Sequence, residues 1–248
     1  MKIAGLGSTS LSTKVWSWSY SKLKNYESCP RKHYEIDIAK TAAETQSTDP
    51  NSPLVWGNRV HDALKNALTA AVSPLPDEFA AFQHWVDRVL ARPGELLVEQ
   101  KYAINEQFEP RAWFDKDVWC RMIGDVVKID TPFINKKDSK RCQLALVLDW
   151  KTGKVIDDQI QLMLMAQALF SHYPDLTHVR SEFVWLKDDS TSPELFTRQE
   201  VADQWVELMP RVKALHQAHL TQNYPPKPSG LCKKYCPVKS CPYWGKGA

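Results

Sequence analysis

One stretch constrains this chain more than any other. Leu144-Ala-Leu-Val-Leu-Asp-Trp-Lys-Thr-Gly153 is an apolar run that ends in a carboxylate and an ammonium two residues apart. It is too short for a typical free-standing helix, is closed by Thr152-Gly153, and is apolar on both alternating faces. Those features describe a central strand buried on both sides. Residues i and i+2 of a strand point the same way, so Asp149 and Lys151 project together while Trp150 points away. A charge inside a sheet is costly unless it is paired or bound to a metal. Taken alone, the pair also reads as an ordinary ion pair reaching solvent at a strand end.

A second carboxylate occupies a similar setting upstream. Leu96 to Ile104, Val118 to Asp130 and Cys142 to Lys151 read as three strands. In the middle one Ile123, Asp125, Val127 and Ile129 are expected on one face, with Gly124 permitting close backbone approach. Before these strands the chain reads as helical. Trp16-Ser-Trp-Ser-Tyr-Ser21 leads into a helix capped by Ser19 or Ser21 and broken at Cys29-Pro30. Residues 41–55 form a polar loop, Gly57 to Ala71 is a helix with Val60, Leu64, Ala67 and Leu68 inward, and a third helix runs from Pro76-Asp77 through Arg92. After the strands, a helix over Asp157 to His172 and a strand over Val179 to Leu186 suggest a crossover unit, and 198–220 is a long amphipathic helix.

The chain has 248 residues, 43% apolar and 25% charged, enough for one full core and ordinary for a globular protein. A net charge of +3 says little about partners, but residues 221–248 carry five lysines (Lys227, Lys233, Lys234, Lys239, Lys246) and no acid. Such a basic tail suits phosphates, and equally a solvated terminus. No stretch has the length of a transmembrane helix and the opening Met1 to Gly7 lacks a signal-peptide core, so a cytoplasmic location without membrane contact is expected. In that compartment the clustered ones among the six cysteines read as metal or cluster ligands rather than disulfides.

Asp125 and Asp149 on strands close in sequence give a hard oxygen site suited to Mg2+ or Mn2+, and Lys151 beside it suits orienting water or stabilising developing charge. Phosphodiester hydrolysis needs those functions.

The ordered set Gly124-Asp125, Asp149-Trp-Lys151 and a following helix with Gln161 resembles the PD-(D/E)XK nuclease superfamily in its D-x-K form. The Gly57-Asn-Arg-Val-His61 segment and Ser19-Tyr-Ser-Lys-Leu-Lys-Asn-Tyr-Glu-Ser-Cys29-Pro-Arg resemble its RecB-like branch, which includes CRISPR-associated and phage recombination exonucleases. The resemblance spans residues 16 to 244. It implies that Asp125, Asp149 and His61 are metal ligands, with the Trp150 carbonyl completing the shell, and that Lys151 is catalytic. Gln161 matches the glutamine of the family's Q-x-x-x-Y motif, whose tyrosine position is Met165 here. Glu99 on the first strand is an auxiliary acidic residue. The implied fold is α/β, a mixed central sheet flanked by helices as in restriction endonucleases. It is expected as a single domain over 1–248, with a helical part over 16–92, a nuclease core over 93–220 and a basic cysteine-rich tail over 221–248 packing with Cys29.

Cys232-x-x-x-Cys236-x-x-x-x-Cys241 places three thiols in ten residues. In the RecB-like relatives such a trio joins an N-terminal cysteine, matching Cys29, around a [4Fe–4S] cluster. The spacing departs from the family's C-x-x-C start and leaves Zn2+, or plain reduced thiols, open. Cys120 and Cys142 read as core packing. Trp16, Trp18, Tyr20 and Tyr26, with Tyr235, Tyr243 and Trp244 of the tail, are candidates for stacking on unpaired bases, and equally for the core.

The expected function is therefore divalent-metal-dependent DNA hydrolysis, as an exonuclease on ends or single strands in recombination or repair. The resemblance implies phage origin and a recombination or single-strand-annealing partner. The alternatives are a nuclease-like module that binds DNA and recruits a partner without turnover, and a structural metal-binding protein.

Overall fold

The computed structural model describes residues 16–43, 49, 52–70, 74–134, 136–137, 139, 141–156 and 158–246. The opening Met1 to Gly7 and the expected helix limits Ala71 and Asp157 lie outside those residues. In chain order come helix α1 (Tyr20–Ser28), a short turn of helix α2 (Pro30–His33) running into a π turn (Tyr34–Ile38), α3 (Pro53–Ala70), a 3-10 stretch (Asp77–Phe82) and α4 (Gln83–Ala91). Strands β1 (Glu95–Ile104), β2 (Pro110–Arg111), β3 (Cys120–Ile129), β4 (Phe133–Ile134), β5 (Arg141–Cys142) and β6 (Leu144–Lys151) follow. The chain then forms α5 (Gln159–His172), β7 (His178–Trp185), β8 (Ser190–Phe196) and α6 (Arg198–Thr221), and a 3-10 turn (Gly230–Lys233) in the tail.

Six strands form one sheet in the order β2-β1-β3-β6-β7-β8. Among the described strands only β6 and β7 pair in parallel, and α5 is the crossover between them, in agreement with the alternation of strand and helix patterns. Helices cover both faces. Ala145 and Val147 of β6 pack with Leu162, Leu164 and Leu169 of α5 and with Trp205 and Leu208 of α6. The alternate residues Leu146, Leu148 and Trp150 pack with Val60 and Leu64 of α3 and Trp85 and Val89 of α4. The double apolar face of β6 is thus divided between two separate cores, which is why its sequence shows no polar alternation before Asp149.

Ser19 is the N-cap of α1, accepting from Lys22 N at 3.4 Å. The helix ends at Cys29 because Pro30 has no N–H to continue it. Three boundaries differ from expectation. Helix α3 begins at Pro53, inside the stretch read as loop, because proline is well suited to a first helical turn. The third helix starts as the 3-10 stretch, and the strand expected from Cys142 is divided, Cys142 pairing with Phe133 before β6 begins. Strand β8 escapes a reading by pattern altogether. It is polar, contains Pro193 and lies at the sheet edge, where a missing donor is tolerated.

The expected common face of Ile123, Asp125, Val127 and Ile129 holds only downstream. Cys120 and Met122 share the core cluster of Val127 and Ile129, while Ile123 is 39% exposed. Alternation therefore slips by one residue across Gly124–Asp125. The same slip occurs in β1, where Leu97 packs against the cluster that holds Tyr102 and Ile104. Its cause is Glu99, which has φ of +52° in mid-strand and lies opposite Asp125, between the paired positions Val98↔Val126 and Gln100↔Gly124. Interruptions of this kind re-aim side chains beside functional sites.

Leu164 is fully buried between sheet and α6. Leu164→Ala is expected to lower stability by about 2–5 kcal/mol, read as a drop in urea midpoint with unchanged slope. A change below about 0.5 kcal/mol would contradict this packing.

Candidate metal centre

The interrupted strand pair sets three donors together. His61 from α3, Glu99 from β1 and Asp125 from β3 each offer an atom within 4.8 Å of the other two. His61 Nδ1 lies 3.6 Å from Asp125 Oδ2. Glu99, expected only as an auxiliary acid, is a full member of this group. Its left-handed backbone costs on the order of 1 kcal/mol for a residue with a Cβ. No pattern in the sequence announces that conformation.

Asp125 is anchored rather than free. Its Oδ2 accepts the backbone N–H of Trp150 at 2.9 Å, bridging β3 to β6 just where their ladder ends at Val126↔Leu148. Asp149 is not in the three-donor group. Its buried carboxylate turns to Lys151 and Gln161: Oδ1 accepts from Gln161 Nε2 at 2.7 Å, and Oδ2, which has no hydrogen-bond partner, faces Lys151 Nζ at 2.5 Å as an ion pair. Lys151 Nζ donates to Gln161 Oε1 at 3.1 Å and lies 4.9 Å from the Phe183 ring centroid. Asp149, Lys151 and Gln161 therefore form a closed triangle, two corners on β6 and one on α5. The i, i+2 geometry delivers the first two together.

Burial pushes the Asp125 carboxyl up to about 8, helped by the Asp149 charge and, more weakly, by Glu99, and opposed by the Trp150 N–H and Lys151. A carboxyl raised by burial and by a neighbouring carboxylate marks a site short of positive charge. A divalent cation supplies that charge, and the His, Glu and Asp donor set suits Mg2+ or Mn2+. The Trp150 side chain is buried in the α3 side of the core. Met165, at the family's tyrosine position, is buried among the residues of the α5 side, so it offers no polar group here.

A family model of the PD-(D/E)XK nuclease superfamily matches residues 17–242. The chain belongs to that superfamily. The mixed six-stranded sheet flanked by helices agrees with its restriction-endonuclease-like fold. Two solved structures are similar to this superfamily member at low identity. The protein SSO0001 is 12% identical with TM-score 0.42, over 92% of this chain and 87% of that one. A candidate exonuclease from Eubacterium rectale is 11% identical with TM-score 0.49, over 92% of each chain. No curated protein matches the sequence.

Cys29, Cys232, Cys236 and Cys241 line one cavity of about 170 Å³ beside Pro226 and Tyr235. Cys29 Sγ accepts Lys227 N at 3.3 Å, and Lys227 Nζ donates to the Glu27 carbonyl at 2.7 Å, tying the tail to the end of α1. Burial, then the neighbouring Cys232, Cys29 and Cys241, push the Cys236 thiol up. Among the described residues no three sulfurs come within 4.8 Å of one another. Cys120 and Cys142 are buried, as expected of packing residues.

The aromatic candidates are corrected in part. Trp18 is in the core, in edge contact with Trp119 and Trp205, and Trp16 stacks on His216 at 4.4 Å. Tyr26 is packed against the core, and Tyr20 donates to Asp158. Tyr235, Tyr243 and Trp244 are exposed. Among the described residues, no helix is long and apolar enough to cross a membrane.

Between 3.8 and about 8 the folded chain holds on Asp125 a proton that the unfolded chain has released. Stability of metal-free protein should therefore fall as pH rises through that window. Ligand binding to the ionised form reverses the trend, so Mn2+ is expected to raise the melting temperature more at about pH 8 than at about pH 6. Asp125→Asn should abolish both effects in a thermal-shift titration, and an unchanged Mn2+ response in that variant would contradict the assignment.

Proposed function

We propose that this member of the superfamily is a divalent-metal-dependent deoxyribonuclease, acting as an exonuclease on DNA ends or single strands. The observation that carries the reading is the convergence of His61, Glu99 and Asp125 beside the Asp149–Lys151–Gln161 triangle. In this reading His61, Asp125 and Asp149 hold Mg2+ or Mn2+, with Glu99 as a further donor and the Trp150 carbonyl completing the shell. A divalent ion held there supplies positive charge that polarises a phosphoryl oxygen and offsets the charge developing on it.

The chain's own residues do the rest. Lys151 presents its ammonium toward the reacting phosphate, where it orients water and stabilises the charge that builds on the phosphoryl group. Gln161 is a positioning residue: its amide donates to Asp149 and accepts from Lys151, so it holds both groups in one orientation while excluding alternative pairings. Asp125, fixed by the Trp150 N–H on Oδ2, is held beside His61 and Glu99 without a side-chain search.

The four cysteines extend the proposal. A lone zinc bound tetrahedrally at about 2.3 Å would bring its sulfurs to about 3.8 Å of one another. Four thiols around one cavity are the ligand number that such a zinc or a larger group needs, and our reading is a [4Fe–4S] cluster that joins residues 221–248 to Cys29. That arrangement, with the Ser19 to Cys29 segment, supports the RecB-like branch. With the RecB-like reading go a cytoplasmic role in recombination or repair, phage origin and a single-strand-annealing partner.

The test is a digestion time course on end-labelled single- and double-stranded DNA with Mn2+, Mg2+ or chelator. Wild type is expected to cut only with metal, and Asp149→Ala and Lys151→Ala to lose at least ~100-fold in rate with the fold kept by circular dichroism. Retained DNA binding without cleavage by wild type would instead favour a recruiting module. For the cysteines, protein purified without oxygen is expected to be brown, with iron and acid-labile sulfide that Cys236→Ala loses. Colourless protein with stoichiometric zinc would refute the cluster.

A further inference from the structure

Two cavities lie along the start of β3 and share Trp18, Lys22 and Arg121. One, about 440 Å³, reaches Gln161 and is walled by Tyr20 and Trp113. The other, about 670 Å³, adds Lys40, Lys116 and His219. Together they make one open trough that begins at the amide touching Asp149 and Lys151.

Its charge is unbalanced. Lys22, Lys40, Lys116 and Arg121 form no ion pair among the described residues, whereas most acidic neighbours are already engaged. Asp37 is bonded to His33 and Asn25, and Asp115 accepts from Ala112 N at 2.8 Å within its own turn. Lys22 and Arg121 are both pinned to Ser17, Lys22 Nζ donating to its carbonyl at 3.1 Å and Arg121 to its hydroxyl. Burial holds the Lys22 ammonium below its usual range, the Asp37 charge opposes this, and Arg121 and Lys40 add to it. Lys40 itself sits at φ of +59°, a backbone strain that a plain surface lysine has no need of. Four cations against two carboxylates, Asp37 and Asp115, leave the lining net positive, with Lys22 part-desolvated among them, and such a surface fits a polyanion.

An exposed aromatic ring stands next to the trough, one residue after Trp113 of its wall. The turn Ala112–Asp117 is fixed by Asp115 and by Arg111, which pairs with Asp117 at 2.6 Å. Arg121 donates to the Trp113 carbonyl at 3.0 Å, and Lys101 Nζ and Arg121 Cζ each stand 5.6 Å from the Trp113 ring. This ordered turn holds Phe114 88% exposed. A phenyl ring held out in water by a rigid turn beside a cationic trough is suited to stacking on an unpaired base.

We infer that this trough binds an unpaired polynucleotide strand leading to the metal centre, with Lys22, Arg121, Lys40 and Lys116 on its phosphates and Trp113–Phe114 against its bases. The inference rests on the nuclease reading for its direction, not for its chemistry. Paired bases present no free faces to Phe114, so the strand is single at this turn.

The test is fluorescence anisotropy with a labelled 20-nucleotide single strand in chelator, where no turnover occurs. Lys40→Gln with Lys116→Gln is expected to weaken binding about tenfold at moderate salt and to reduce the log–log salt slope by about 1.4, at roughly 0.7 for each phosphate no longer neutralised. Lys187→Gln, on the β7–β8 turn outside the trough, should change neither. Phe114→Ala should weaken binding several-fold with the slope unchanged, and a blunt duplex should lose much less in each variant. All three lysine positions are exposed, so folding is not at stake. Unchanged affinity and slope in the double variant would overturn the inference, as would equal losses for duplex and single strand. Cleavage by wild type with normal binding by the variants sinks the trough alone, and trough-dependent binding without cleavage sinks the nuclease reading alone.

Discussion

Two carboxylates held beside each other where β3 and β6 part are the constraint around which the rest of the site is arranged. Asp149 is buried, and beside it Asp125 sits where burial and the Asp149 charge make its ionisation costly. The fold answers with the Trp150 N–H on one and with Lys151 and Gln161 on the other. These partners reduce the cost without removing it, since the Asp125 carboxyl still rises to about 8. The deficit of positive charge that remains is the property a metal centre requires. A stability-optimised core would have replaced the set with apolar residues.

Placing those groups demands a sheet that is regular up to the site and irregular at it. The two-faced apolar strand β6 is held by separate cores above and below, so its register is fixed and Asp149 and Lys151 emerge on the α5 side. Strands β1 and β3 instead break step together at Glu99 and Asp125. That break opens the ladder enough for His61, Glu99 and Asp125 to meet. Helix α3 reaches the same place closely: a Cβ on Gly57, one turn before His61, would come within 2.9 Å of Thr152 Oγ1 and make that side chain shift.

What the sequence discloses follows from which features are periodic. Strand β6, the crossover through α5 and the long α6 all carry patterns set by burial, and Asp149, Lys151 and Asp125 stand out as charges violating those patterns. The slip at Glu99 does not, because φ leaves no mark in composition and a glutamate is as ordinary in a strand as on a surface. A strict period of two consequently puts Ile123 on the wrong face. Strand β8 is hidden by Pro193, whose tolerance depends on an edge position that only the assembled sheet defines. Tryptophans 16 and 18 read as base-stacking candidates, yet segment Trp16–Ser19 lies along β3, with Trp18 N–H donating to the Trp119 carbonyl at 2.9 Å, and so carries Trp18 into the core. Among the described residues the most exposed ring belongs to Phe114, in a turn with no motif. Cys29 and the tail cysteines, nearly the length of the chain apart, do line one cavity, which spacing alone does not fix.

The central claim is that these carboxylates form a cation site on the nuclease strand. It is tested most directly by locating Mn2+ in crystals of the protein through its anomalous scattering. The account predicts a strong peak bounded by His61, Glu99, Asp125 and Asp149, absent when Asp125→Asn crystals are treated identically. Manganese found only elsewhere on the surface, with these side chains undisturbed, would contradict it.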